Sequence, residues 1–151
     1  EATGWECNKL SASGADLHFA GYIKKLAEGP AKGVLSTMLL DSWECNEQTW
    51  TPEMEKEFAG VNGYALREWI PALFGYVIGD HETTFSFLND WRNCINFLFV
   101  NRFWYEMSKN AKSENLNIIY ETAAGDVFPA DVLEFFKYAD DNDRCNYFIL
   151  F

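Results

Sequence analysis

The run Val34-Leu35-Ser36-Thr37-Met38-Leu39-Leu40, closed by Asp41-Ser42-Trp43-Glu44, constrains the fold more than any other stretch of the sequence. It has strand length and is mostly apolar, without the strict alternation of a half-exposed strand. That pattern fits a strand buried on both faces, as in a parallel sheet. Asn115-Leu116-Asn117-Ile118-Ile119-Tyr120-Glu121 reads as a second strand and also ends on a carboxylate. Two parallel strands need a long crossover between them, and helical signals fill that interval.

Those signals are periodic. Thr51-Pro52 reads as an N-cap followed by proline at the first helical position, with Glu53 and Glu55 favouring the positive end. That helix stops near Gly60 to Gly63. A short irregular helix spans Leu66 to Leu73 around Pro71. The longest runs from about Glu82 to Lys109, where Leu88, Trp91, Ile95, Leu98, Arg102 and Tyr105 recur at three- and four-residue steps. Ahead of the first strand, Leu17, Phe19, Tyr22, Ile23 and Leu26 form an apolar stripe that Gly29-Pro30 terminates. Pro129 to Tyr138 reads as one more short helix. Strand, helical excursion, strand, helix is the grammar of an α/β parallel sheet. An open doubly wound sheet competes with a (β/α) barrel, but no glycine-rich phosphate loop is present to favour its nucleotide-binding versions.

Bulk properties narrow the function classes. With 48% hydrophobic and 17% aromatic residues, a folded core is expected. A net charge of -11 argues against nucleic acid, which needs concentrated lysine and arginine. No run approaches the roughly 18 apolar residues of a membrane span, so no membrane partner is expected. The chain starts at Glu1 without Met or leader, so the start reads as internal. At 151 residues it is one domain's length and short of the roughly 250 that a complete (β/α)8 barrel uses. Cys7, Cys45, Cys94 and Cys145 have neither CxxC nor zinc-ligand spacing and read as small buried residues.

The acids carry the chemistry. Trp5-Glu6-Cys7-Asn8 is echoed by Trp43-Glu44-Cys45-Asn46, and Glu121 ends the second strand. In a (β/α) barrel all strand C-terminal ends meet on one face, where active sites are built. Several carboxylates and tryptophans on one rim suit glycoside hydrolysis, in which one acid protonates the leaving oxygen and a second group activates the nucleophile. A Trp beside the acid offers a flat face to a sugar ring. It also excludes water, raising the carboxyl pKa so that a proton is retained near neutrality. Convergent oxygens could alternatively hold Ca2+. Plainer roles exist for each residue. Asp41 can cap its loop, Glu121 can be merely solvated, and Trp50 and Trp104 can be packing residues. His18, in a helix, and His81, in a loop, lack catalytic or metal-spaced partners. Glu53, Glu55 and Glu57 read as a solvated face.

Gly4-Trp5-Glu6-Cys7-Asn8-Lys9-Leu10-Ser11, Leu40-Asp41-Ser42-Trp43-Glu44 and Gln48-Thr49-Trp50-Thr51-Pro52 together resemble the bacterial α-L-rhamnosidases of glycoside hydrolase family 106. The likeness continues through Phe58, Asn62-Gly63-Tyr64, Trp69-Ile70-Pro71-Ala72-Leu73 and Tyr120-Glu121. It covers Gly4 to about Asp140. It implies that residues 1–140 are part of a (β/α)8 barrel in a larger, periplasmic or secreted protein, followed by an atypical 141–151 tail. The implied activity is hydrolysis of α-L-rhamnosides in plant polysaccharides or glycosides, with inversion and with Ca2+ helping to hold the sugar. Glu44 is then the general acid. Trp43, Asp41, Glu6, Trp5, Glu121 and Trp50 are substrate contacts, and Glu6, Asp41 and Glu121 are candidate calcium ligands. The general base would come from a later strand in the rest of the catalytic domain, leaving this segment inactive alone. A non-catalytic carbohydrate- or calcium-binding module is the alternative. The sequence departs from the family where Thr122-Ala123-Ala124-Gly125 stands in place of Pro-Tyr-Gly after Glu121, and in the polar stretch Asp141 to Asn146.

Overall fold

A computed structural model describes residues 6–40, 48–120, 134 and 136–138. Its elements are helices α1 (Ala12–Gly21) and α2 (Ile23–Glu28), strand β1 (Thr37–Leu40) and helix α3 (Met54–Asn62), then a 3-10 helix (Arg67–Phe74). Helix α4 (His81–Leu98) passes through a π-helical segment (Phe99–Trp104) into α5 (Tyr105–Ser113), and strand β2 (Asn117–Tyr120) follows. β1 and β2 pair in parallel, with Thr37 opposite Asn117 and Leu40 opposite Tyr120. The architecture is therefore mixed α/β, mostly helical, with a small parallel sheet, and the long crossover holds α3 to α5.

The first helix departs from the expected single stripe. The backbone breaks at Tyr22 (φ -134°, ψ -66°), so α1 and α2 point their side chains independently. Phe19 is buried, whereas Leu17 and Tyr22 stand in solvent. Glycine is needed at position 14, where α1 packs against the incoming chain. A Cβ added there would overlap the backbone carbonyl oxygen of Asn8. Gly14→Ala should therefore cost about 1–3 kcal/mol, the usual penalty of overpacking. A shift in denaturation midpoint at unchanged slope checks this; no shift would mean that the Asn8 loop yields freely.

β1 is shorter than its apolar run and buries one face rather than two. Met38 turns into the core with Ile118 of β2, while Leu39 is 60% exposed. Within the described residues the helices cover one side of the sheet, which is why the expectation of two buried faces is not met. The start of α3 also differs from the proline-based reading. Met54 is the first helical residue, Glu53 occupies the cap position, and the Thr51 hydroxyl is engaged elsewhere. The end is as expected, with Asn62 followed by Gly63 in the left-handed region (φ 79°). Pro71 lies in a 3-10 rather than an α-helical turn, consistent with its missing N–H.

The long helix does two jobs. Phe87, Trp91, Cys94, Ile95, Leu98 and Phe99 join Leu10, Met54, Phe58, Leu66 and Ala72 in one core cluster. Val100, Phe103, Trp104, Met107 and Ala111 join Ala15, Phe19, Met38, Leu116 and Ile118 in a second cluster under the sheet. The hand-over falls between Phe99 and Val100, inside the π segment, where a wider turn resets the buried face. Arg102 and Tyr105, expected in the stripe, consequently lie at its margin. Asp80 caps α4 by accepting a hydrogen bond from the Thr83 N–H (2.7 Å). That bond holds its carboxyl below the usual range. Asn115 (φ 58°) closes α5, letting the Leu116 and Asn115 N–H groups bond back to the carbonyls of Ala111 and Lys112 and aiming the chain into β2. Beyond β2, the Tyr138 hydroxyl donates to Asn101 Oδ1 (2.7 Å), and the Ser108 hydroxyl donates to the Tyr138 carbonyl (2.9 Å). The expected helix before Tyr138 lies largely outside the described residues.

Candidate active-site rim

The parallel register sets the geometry. Leu40 and Tyr120 lie side by side at the C-terminal ends of their strands. The next residues in sequence are Asp41 and Glu121. Asp41, Trp43, Glu44, Trp5 and Glu121 all lie outside the described residues; Glu6 and Trp50 lie within them.

Two described segments flanking the Trp-Glu-Cys-Asn echoes are tied together. Lys9 donates its backbone N–H to Gln48 Oε1 (2.7 Å). Asn8 donates from Nδ2 to Thr51 Oγ1 (2.8 Å), and the Thr51 hydroxyl passes its own proton to Glu53 Oε2 (2.9 Å). Asn8 Oδ1 accepts from the Leu10 N–H, bending the chain toward α1. Thr51 is 1% exposed, so these bonds satisfy a hydroxyl that water barely reaches. Composition and periodicity gave no sign of this clamp, because its partners are about 40 residues apart and polar.

Glu6 pairs with Lys9, and its side chain remains half exposed. Trp50 is 46% exposed and leans at 31° on Trp91, centroid to centroid 6.1 Å. Trp91 in turn rests on Phe58. An indole supported from behind and open in front is a suitable surface for the apolar face of a sugar ring. Trp104, by contrast, is buried packing.

The remaining polar groups have structural partners. Glu55 binds Arg67 through two bonds (2.8 and 3.1 Å), and Glu57 binds Arg102 (2.9 Å), so the acidic run on α3 is ion-paired and not merely solvated. The Arg67 hydrogen bond lowers the Glu55 carboxyl's pKa. Tyr64, which sequence reasoning gave no role, donates to Asp90 Oδ2 (2.9 Å). Burial foremost, then that carboxylate, pushes the phenol pKa well up. Burial also raises the Cys7 thiol, and burial with the charge of Glu57 pushes Cys94 up to about 11. Both are unpaired thiols that stay protonated, and neither is poised as a nucleophile. Cys45 and Cys145 lie outside the described residues. His18 and His81 are exposed, His81 as the first residue of α4 and not in a loop. Among the described residues, no three His, Cys, Asp or Glu side chains gather as a metal site, and no helix is long and apolar enough to cross a membrane.

The chain is similar to known glycoside hydrolases. The sequence model of glycoside hydrolase family 106, described as alpha-L-rhamnosidase, matches residues 1–143. A rhamnosidase structure from Novosphingobium sp. PP1Y superposes with a TM-score of 0.77 at 29% identity, over 87% of this chain and 13% of that one. A Formosa agariphila protein named "Putative beta-glucuronidase" is 31% identical over 104 residues, 67% of this chain and 9% of that protein. The chain thus spans about a tenth of the length of the relatives it matches. A family match over nearly every residue, joined to a structural likeness at related sequence, makes this chain a member of glycoside hydrolase family 106.

Proposed function

We propose that the chain is a segment of the (β/α)8 catalytic barrel of an inverting α-L-rhamnosidase, contributing Glu44 as general acid. The observation that carries this reading is the level pairing of Leu40 with Tyr120, one residue before Asp41 and Glu121. In a parallel sheet such ends share one rim, the side on which barrel enzymes assemble their sites. The sheet face bearing Leu39 would then turn toward the barrel interior.

On that rim Glu44 hands its proton to the glycosidic oxygen as the bond to the anomeric carbon breaks. A base elsewhere in the full-length protein takes a proton from water, which attacks from the opposite face of the ring. Inversion requires the two carboxyl groups to stand about 6.5–9.5 Å apart, leaving room for that water. Trp43, Trp5 and Trp50 offer apolar faces to a deoxysugar, and Asp41, Glu6 and Glu121 accept hydrogen bonds from its hydroxyls. Of the candidate ligands for the Ca2+ that the family implies, only Glu6 lies within the described residues. Glu6 is already bound to the Lys9 ammonium, which would repel a cation. A periplasmic or secreted parent acting on plant rhamnosides accords with this chemistry.

The name of the Formosa relative raises a glucuronide as second substrate. A uronate carries its own carboxylate, and ionised Asp41 and Glu121 on the rim would oppose it by like-charge repulsion, favouring the neutral deoxysugar. Full-length protein should therefore cleave aryl α-L-rhamnosides and leave aryl β-D-glucuronides intact. Proton NMR of the first product should show the β anomer of rhamnose. First release of the α anomer would refute inversion, and preference for the glucuronide would refute the substrate. No hydrolysis of either would favour a binding module.

A further inference from the structure

We infer that Gln48, with the Asn8–Thr51–Glu53 chain behind it, is a positioning device for the loop that carries the acid. The inference rests on the reading of Glu44 as general acid. Glu44 lies four residues after Leu40 and four before Gln48. A four-residue span of extended chain reaches at most about 14 Å, so both ends restrict where the carboxyl can go. The Leu40 end is fixed by pairing with Tyr120 in β2. The other end is fixed by the Gln48 Oε1 bond to the Lys9 N–H (2.7 Å). Three residues on, Thr51 repeats the attachment through Asn8 Nδ2 (2.8 Å) and is itself held by Glu53 (2.9 Å). Asn8 cannot drift, because its carbonyl sits against Gly14 in α1 and its Oδ1 holds the Leu10 N–H. The residues on either side of the segment that carries Glu44 are therefore held, Leu40 by the sheet and Gln48 by the Lys9 backbone.

General-acid catalysis is sensitive to such bracing, since a displacement of about 1 Å at the reacting atoms can cost 10²-fold in rate. Gln48 does not touch the reacting atoms in this scheme; it acts through the loop. Gln48→Leu in the full-length protein removes the acceptor at similar volume, and Gln48→Glu keeps an acceptor oxygen. Gln48→Leu should lower kcat on alkyl rhamnosides by about 10- to 100-fold, within the range that misplacement produces. KM should stay nearly constant, most of the rate on nitrophenyl rhamnosides should survive, and Gln48→Glu should restore most of the alkyl rate. Equal losses on both substrates, no loss, or a Glu variant as slow as the Leu variant would overturn the inference. If Gln48→Leu does not fold, Thr51→Val against Thr51→Ser makes the same comparison. A leaving-group-dependent loss confined to Val supports the clamp, and equal kcat in the two overturns it. Glu44→Gln measured alongside separates the two ideas. If it shows leaving-group dependence and Gln48→Leu does not, only the clamp fails; if Glu44→Gln shows none, the acid assignment fails and takes the clamp with it.

Discussion

Glu44→Gln in the full-length protein is expected to slow hydrolysis of rhamnosides with sugar or alkyl leaving groups by about 10²- to 10⁴-fold, the usual contribution of a positioned general acid. At about 1.4 kcal/mol per factor of ten, that corresponds to roughly 3–5 kcal/mol of lost transition-state stabilisation. The loss should depend on the leaving group. An alkoxide is a strong base and must be protonated as it departs, whereas a nitrophenolate leaves almost unaided. Activated aryl rhamnosides should therefore keep most of their rate. The amide is nearly isosteric with the carboxyl, so binding should change little and the effect should fall on kcat. The limb of the pH profile that reports deprotonation of the acid should also flatten, because glutamine has no proton to lose. Equal loss on both substrate types would remove Glu44 from this role. A clean dependence would instead tie the Trp-Glu pair after β1 to bond cleavage.

How far the sequence discloses the molecule depends on the range of the interaction concerned. The parallel strands were legible because burial leaves an apolar run in adjacent residues, as in Met38-Leu39-Leu40 and Ile118-Ile119-Tyr120. Their one-sided burial was not, because apolar composition cannot say whether a covering layer lies within the same segment. The stop of α3 at Gly63 was legible from a glycine that takes positive φ; its start was not, because Thr51 is claimed by Asn8 from another part of the chain. The long helix was legible by period up to Leu98. The period then misleads, since a π segment shifts the buried face and leaves Arg102 bonded to Glu57 instead of inside the core. Asp41 and Glu121, the proposed site acids, follow the two strands directly and so are visible as local sequence features. The clamp through Gln48 and Thr51 depends on contacts about 40 residues apart, which no local pattern encodes.

The largest expected loss of stability follows from Phe58→Ala. Phe58 is fully buried (0% exposed) in the cluster between α3 and α4. Its ring meets Tyr64 edge-on at 5.1 Å, Phe87 at 5.8 Å and Trp91 at 6.3 Å. Truncation removes the transfer free energy of the ring and leaves a cavity walled by three rigid aromatic groups. These cannot collapse into the space without abandoning other contacts: Tyr64 is held by Asp90, and Phe87 is stacked on Trp69 at 5.3 Å. The cost should be about 3–5 kcal/mol, near the top of the range for such changes. Against a typical total of about 5–15 kcal/mol, that is a large share of the fold's stability. Phe85→Ala supplies the contrast, since Phe85 is 62% exposed on α4 and should change stability by no more than about 0.5 kcal/mol. Denaturant midpoints at constant slope would measure both; comparable shifts would mean that the cluster is looser than its ring contacts indicate. The consequence also reaches the rim, because Phe58 supports Trp91 and Trp91 supports Trp50. Where Phe58→Ala still folds in the full-length protein, KM for rhamnosides should rise with little change in kcat if Trp50 serves, as proposed, as a surface for the sugar and not as a proton donor.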